Sequence, residues 1–318
     1  MKKTLAVVMD PIEQIHYQKD STLALLWEAQ KRNYELFYIT PDNLYSLEGK
    51  AYANAQALKV FADEQKWYSV AESQDIALST IDVILMRQDP PFNLNYIFNT
   101  YILELAEKHG ALVVNKPQAL RDANEKFFIN EFPQYISPTL VSANADKLKD
   151  FLQQHQDIVI KPLDGMGGAS IFRLTPKDPN VNVVIETMTE FGQRKVMAQR
   201  YLKAICEGDK RIIIIDGEPI DYVLARIAKE GESRANLARG GRGVGQPINE
   251  HDRKVAQAVG KVLKQRGILF AGLDMIGECV TEINITSPTC IRELDKTFSL
   301  NISSLLFDAI EKRIKEKR

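Results

Sequence analysis

Cysteine is scarce in this chain: three in 318 residues, Cys206, Cys279 and Cys290, none of them in a CxxC pair. An odd number of widely spaced thiols supports neither a disulfide framework nor a zinc ribbon, and it suits a reducing compartment. Histidine is sparse as well, and His16, His109, His155 and His251 stand without the spacing of a triad or a metal site. GxSxG, HExxH, the Walker glycine-lysine loop and the GxGxxG fingerprint are all missing. Neither sign of charge is in excess: 41 Lys plus Arg against 42 Asp plus Glu leave a net charge of −1, which argues against a coat for nucleic acid or anionic membrane. Long apolar runs are absent too. The stretch Thr4 to Met9 behind Lys2 and Lys3 is shorter than a secretory apolar region, and no run approaches the roughly 18 residues of a membrane span. The expectation is a cytoplasmic protein.

What is present is ordinary globular composition, 45% hydrophobic and 26% charged, in a length that suits two or three domains. Leu5 to Met9 reads as a buried strand, Asp20-Ser21-Thr22 as caps for a helix through Gln30, and Tyr34 to Ile39 as the next strand. That order predicts a parallel, doubly wound sheet with a right-handed crossover. Leu44 to Leu58 reads as a hairpin turning near Gly49, Ile81 to Met86 and Ala111 to Asn115 as strands, and Leu103 to Lys108 as a helix closing at Gly110. Further on, Ile158 to Lys161 is a strand entering the glycine cluster 164–168, and Val196 to Leu202 is another. Two hairpins follow: Arg211 to Ile215 turning at Asp216-Gly217 into Ile220 to Ala225, and Ala271 to Ile276 turning at Gly277-Glu278 into Val280 to Ile285. Residues 231–245 hold five of the 17 glycines with Arg234, Arg239 and Arg242, which reads as a mobile cationic loop. The expected division is 1–122, 123–203 and 204–318.

Three signals carry chemistry. In the second hairpin, period-2 alternation sets Glu282 and Asn284 on one face and Ile283 and Ile285 on the other, and the turn returns Asp274 beside them. Oxygen donors without His or Cys suit Mg²⁺, which keeps waters and bridges to nucleotide phosphates, against the plainer alternative of a solvated strand face. In the glycine cluster, Gly165, Gly167 and Gly168 let backbone N–H groups approach a polyphosphate, with Lys161 upstream as a point charge and Lys126 as a second candidate. The third signal is an arginine set, Arg87, Arg211, Arg226, Arg234, Arg239 and Arg242, whose guanidinium forks suit carboxylates and phosphates. Without a protein nucleophile in any recognisable setting, phosphoryl transfer by positioning and charge neutralisation fits best.

Lys126, Ile160 to Gly168, the Asp216-Gly217 hairpin, Asp274 and Glu282-Ile283-Asn284 together resemble the ATP-grasp superfamily of carboxylate-amine ligases. Within it, Val8 to Ile12, Leu85-Met86-Arg87, Asp89 to Phe92, Asn115-Lys116-Pro117 and Asn284 to Glu293 are similar to the bacterial glutathione synthetases. The resemblance covers nearly the whole chain. It implies an ATP-grasp fold behind an α/β N-terminal domain, and an acyl-phosphate reaction joining γ-glutamylcysteine to glycine, with ATP giving ADP and phosphate. It implies that Lys126 and Lys161 hold ATP phosphates under the Gly165–Gly168 loop, that Gln199, Tyr201 and Leu202 line the adenine site with Asp209 near the ribose, and that Asp274, Glu282 and Asn284 bind two Mg²⁺ ions, for which Mn²⁺ is a substitute. It further implies that Arg211 neutralises the transferring phosphoryl group, that Arg226, Asp10, Arg87 and the Ser287-Pro288-Thr289 turn position the dipeptide, and that Arg234 and Gly240 belong to a lid over 227–242. Partners would be these small molecules and further copies in a homotetramer, with neither nucleic acid nor membrane. The competing readings are a sibling ligase for D-alanine or glutamate, and a non-catalytic ATP-binding module.

Overall fold

The fold is seen in a computed structural model that describes residues 2–227 and 242–317. The chain opens β1 (Thr4–Val8), α1 (Ser21–Lys31), β2 (Glu35–Ile39), β3 (Leu44–Leu47), β4 (Lys50–Val60), β5 (Tyr68–Ala77), β6 (Val83–Met86), α2 (Leu94–Lys108), β7 (Leu112–Val114) and α3 (Pro117–Asp122). Asp20 starts α1 by accepting from Leu23 N–H, as the sequence predicts, and Asn93 starts α2 the same way from Tyr96 N–H. Strands β2, β1, β6 and β7 are parallel neighbours, the doubly wound centre anticipated from the pattern. An antiparallel flank, β3 and β5 on either side of β4, joins it through β2.

The middle of the chain forms a second, four-stranded antiparallel sheet from β8 (Thr139–Ser142), β9 (Ile158–Pro162), β10 (Phe172–Leu174) and β11 (Val196–Arg200), in the order β10-β9-β11-β8. Helices α4 (Ala145–His155) and α5 (Val181–Met188) cover it. The third sheet runs β14-β13-β12-β15-β16, from β12 (Asp209–Ile215), β13 (Glu218–Ile227), β14 (Arg242–Pro247), β15 (Phe270–Ile276) and β16 (Cys279–Asn284). It packs with α6 (Glu250–Gln265), α7 (Ile291–Phe298) and α8 (Ile302–Lys317).

The cores explain how these units sit together. Alternate residues of β1 enter different clusters, Leu5 and Val7 one and Ala6 and Val8 the other, and both clusters continue into the third sheet and its helices. The middle sheet instead has a small core of its own, built on Leu148, Leu152, Ile158, Ile160, Leu174, Ile185 and Val196. Asn115, just past β7, ties the first sheet to the third: its amide donates to the carbonyls of Phe270 and Ile285 at 2.7 Å each, and its oxygen accepts from Leu269 N and Phe270 N at 2.9 Å each.

One expectation is corrected here. Residues 242–245, assigned to a glycine-rich loop, lie in β14 and pair with β13. Their glycines serve packing: a Cβ on Gly245 would stand 2.6 Å from a ring carbon of Phe298. The remainder of that segment, 228–241, lies outside the described residues, and with it Arg234, Arg239 and Gly240.

Candidate active site

The hairpin β15–β16 delivers the acidic residues. Asp274 pairs in register with Glu282, and Gly272 with Asn284, so all three oxygen-bearing side chains share one face while Ile283 is buried on the other. Asn284 Nδ2 donates to Asp274 Oδ2 at 3.0 Å. Strand β12 lies on the other side of β15 and places Arg211 opposite Asp274. The guanidinium grips the carboxylate with both Nε and Nη2, the latter at 2.8 Å from Oδ2. Gly272 leaves it room, because a Cβ there would come within 2.8 Å of Arg211 Cδ. From β13, Arg226 Nη2 reaches the same Oδ2 at 2.9 Å. Burial alone would raise the Asp274 carboxyl, but Arg211 and Arg226 outweigh it and hold it down at about 2.

Glu282 faces the middle sheet. Its Oε1 lies 3.6 Å from Lys126 Nζ and 3.7 Å from Lys161 Nζ, so one carboxylate serves two ammonium groups. Both lysines are almost fully buried. Burial pushes the Lys161 ammonium below its ordinary range, partly offset by Glu282. Lys126 Nζ also donates to the carbonyl of Gly165, which pins the glycine loop between β9 and β10. In that loop Gly167 (φ 63°) and Gly168 (φ 74°) take left-handed backbone, where a side chain is disfavoured.

Two clefts meet at these residues. The first, about 910 Å³ and open to solvent, is walled by Val159, Ile171, Tyr201, Leu202, Ile205 and Ile276, with Lys126, Lys161, Gln199, Asp209 and Glu282 as polar groups. The second, about 880 Å³, is lined by Asp89, Glu125, Arg211, Arg226, Asp274, Asn284, Thr286, Ser287, Thr289 and Cys290. Gly165, Met166, Gly167 and Glu282 border both. The two differ in emphasis: the first has the more apolar side chains in its wall, and the second draws Asp89, Glu125, Arg211, Arg226, Asp274 and Glu282 together.

Apart from Arg234, Arg239 and Gly240, which lie outside the described residues, the site residues expected from the sequence have a place. Lys126, Lys161, Gly165, Gly167, Gly168, Gln199, Tyr201, Leu202 and Asp209 stand around the first cleft, and Arg211, Arg226, Asp274, Asn284, Ser287 and Thr289 around the second. Asp10, Arg87 and Pro288 line neither. They form its backing: Arg87 donates to Thr22 Oγ1 at 3.0 Å and to the Pro288 carbonyl at 2.9 Å, and Asp10 accepts from Asp89 N at 2.8 Å. The sequence reading missed Glu125, Asp89 and Cys290. Glu125 accepts from Ile285 N, Thr286 N and Thr286 Oγ1 at 2.7, 2.9 and 2.8 Å and fixes the turn after β16, although burial raises its carboxyl. Three convergent donors imply a buried acceptor, but no local pattern marks which acid supplies it.

The donor set bears on a metal. Among the described residues no three His, Cys, Asp or Glu side chains stand together as a metal cage. Asp274, Glu282 and Asn284 supply two carboxylates and an amide at the meeting of the clefts. That is too few for an all-protein calcium cage and fits Mg²⁺, which takes one or two carboxylates and completes its shell with water and phosphate.

Comparison with known proteins follows the same outline. Residues 3–121 match the model of the prokaryotic glutathione synthetase N-terminal domain, and residues 125–299 that of the prokaryotic glutathione synthetase ATP-grasp domain. The chain is 53% identical over 317 residues to the glutathione synthetase of Pseudomonas putida and 54% identical over 318 residues to that of Pseudomonas syringae pv. tomato, with 100% of both chains covered in each case. To that of Escherichia coli O6:H1 it is 52% identical over 313 residues, covering 98% of this chain and 99% of the relative. Among solved structures, a D-cycloserine synthetase superposes with a TM-score of 0.66 at 15% identity, covering 98% of this chain and 99% of that one. The ATP-grasp ligase PsnB with its minimal precursor gives 0.65 at 17%, with the same coverage. At such identities these two show the fold alone.

Proposed function

The chain belongs to the prokaryotic glutathione synthetase family, an ATP-dependent carbon-nitrogen ligase that makes glutathione, and from that premise we propose how its residues divide the work. The observation that carries the reading is the meeting of the two clefts at Glu282 and the glycine loop. Nucleoside occupies the apolar cleft against Gln199, Tyr201, Leu202 and Asp209, and its phosphates run to Lys126, Lys161 and the Gly165–Gly168 loop. The dipeptide occupies the charged cleft, its carboxylates toward Arg226 and the turn Ser287 to Thr289, with Asp10, Arg87 and Pro288 fixing that turn from behind. Its cysteinyl carboxylate then faces the γ-phosphate across the shared border.

Two bond exchanges follow. A carboxylate oxygen of γ-glutamylcysteine bonds to the γ-phosphorus as the bond to the β-phosphate oxygen breaks, giving an acyl phosphate and ADP. The glycine nitrogen then bonds to the acyl carbon, phosphate departs with the bonding electrons, and the nitrogen loses a proton. Arg211 and Lys161 meet the charge moved in the first step, at positions fixed before reaction. Asp274, Glu282 and Asn284 would hold Mg²⁺, two ions by resemblance or Mn²⁺ in their place. Such ions neutralise phosphate oxygens and align them for in-line displacement. For Arg234 and Gly240 we retain the assignment to a lid, whose use is to keep water from the acyl phosphate. The units 1–122, 123–203 and 204–318 are our division of the chain.

A coupled assay for ADP tests the substrate pair. Release should depend on γ-glutamylcysteine and glycine together; equal stimulation by D-alanine or glutamate pairs would move the chain to a sibling activity, and nucleotide binding without turnover on any pair would favour a binding module. We also propose a cytoplasmic homotetramer. Three free thiols support the compartment, and the exposed apolar stripe Leu94, Phe98 and Tyr101 on α2 supports association, which sedimentation of the purified protein checks.

A further inference from the structure

Asp209 opens β12 directly opposite Arg226 on β13. A ladder running straight back from the Asp216-Gly217 turn would set it against Leu224. An irregularity between Ile212 and Ile214 shifts the register and brings the two charged side chains together on one face. Asp209 Oδ2 accepts from Arg226 Nη2, and the Asp209 carbonyl accepts from Arg226 Nε at 3.3 Å. The same Nη2 lies 2.9 Å from Asp274 Oδ2. One guanidinium is thus gripped between a carboxylate from the wall of the apolar cleft and a carboxylate from the charged cleft, which Arg226 itself lines.

The grip has an energetic asymmetry. Asp274 already receives Arg211 and Asn284, so it has other partners to satisfy it. Asp209 has Arg226 as its one ion-pair partner among the described residues, and its Oδ1 is buried with no hydrogen bond among them. Burial pushes the Asp209 carboxyl up, against the pull of Arg226. A carboxylate held in such surroundings by a single cation constrains that cation in return, because the arginine cannot leave without stranding a buried charge.

We propose that Asp209 is a positioning residue for Arg226, one that sets the guanidinium for the dipeptide from the nucleotide side of the site. The proposal rests on the assignment of Arg226 to the dipeptide. Without Asp209, Arg226 retains Asp274 as its nearest acid and is drawn toward the metal ligands. Asp209→Asn keeps the volume and the main-chain carbonyl but removes the charge that holds the guanidinium.

Steady-state kinetics of the purified full-length enzyme test it, with γ-glutamylcysteine, glycine, ATP and Mg²⁺. In Asp209→Asn the KM for γ-glutamylcysteine should rise about tenfold or more, by a larger factor than the KM for ATP, whose nucleoside Asp209 also faces; that is the size expected for losing the partner that orients a binding group. Combined with Arg226→Lys, the double variant should be no worse for the dipeptide than the worse single one. A rise confined to ATP would make Asp209 a nucleoside ligand only, and additive effects in the double variant would remove the link; either overturns the proposal. If Arg226→Lys alone leaves the dipeptide KM unchanged, the assignment of Arg226 has failed. If it raises that KM and Asp209→Asn does not, only the positioning role has.

Discussion

Asp274 is a shared carboxylate, with Arg211, Arg226 and Asn284 all on its oxygens. Asp274→Asn would leave two buried guanidinium groups short of their common anion, and removing one partner of a buried pair costs about 3 kcal/mol or more. The pH dependence has a definite sign. The folded carboxyl sits at about 2 against an ordinary 3.8, so its ionisation stabilises the folded state above about pH 4, and this contribution is lost as the pH falls through 2. The difference in urea midpoint between wild type and Asp274→Asn should therefore be full at pH 7 and shrink between about pH 4 and pH 2. A difference unchanged down to pH 2 would show that the carboxylate is not held in its charged form. Part of the site was legible at this scale because strand period decides which side chains face together: Glu282 and Asn284 follow from alternation, but Asp274 joins their face only through a register shift between Asp274 and Met275, since a straight ladder from the turn would set it against Thr281. Asp89 and Glu125 were not legible, since they arrive from irregular segments whose place depends on tertiary packing. The facing of Asp209 and Arg226 was hidden in the same way as that of Asp274 and Glu282. It depends on a ladder irregularity that no residue type between Ile212 and Ile214 announces.

Among the elements, α6 packs backbone against backbone on the turn joining β12 to β13. A Cβ on Gly260 would stand 2.0 Å from the carbonyl oxygen of Gly217, so neither side has a rotamer through which to yield. Gly245 is also tight, but its obstacle is the Phe298 ring, a side chain able to shift. Gly260→Ala should accordingly destabilise by about 3 kcal/mol or more and Gly245→Ala by about 1–2 kcal/mol, read from urea midpoints. The reverse ranking would mean that the turn moves more freely than the aromatic ring. The same contrast explains which elements were readable. Strands β1, β2 and β6, the hairpins at Asp216-Gly217 and Gly277-Glu278, and the cap at Asp20 carry their signals locally. Glycine is ambiguous, because one residue type serves conformational need at Gly167 and steric need at Gly245, and composition alone turned β14 into a loop.

On the scale of the whole molecule, the first and third sheets share continuous cores and the Asn115 clamp, whereas the middle sheet keeps most of its buried apolar residues in a core of its own and enters the shared core through Met197, with Val141 and Leu163 packed against it. One wall of the apolar cleft thus belongs to a small body and the opposite wall to a large one. Moving the small body outward uncovers Met197 and the surface between them but leaves β9 and β11 paired and the core of Ile158, Ile160 and Val196 intact. Release of spent nucleotide then requires only separation of two finished surfaces, with no melting of either sheet. Amide exchange gives the measure of this: β9 and β11 should exchange together through a partial opening of lower free energy than that protecting β12 and β15, and bound ADP with Mg²⁺ should slow the first pair more than the second. Equal protection in both pairs, with and without nucleotide, would mean that the cleft opens only when everything does.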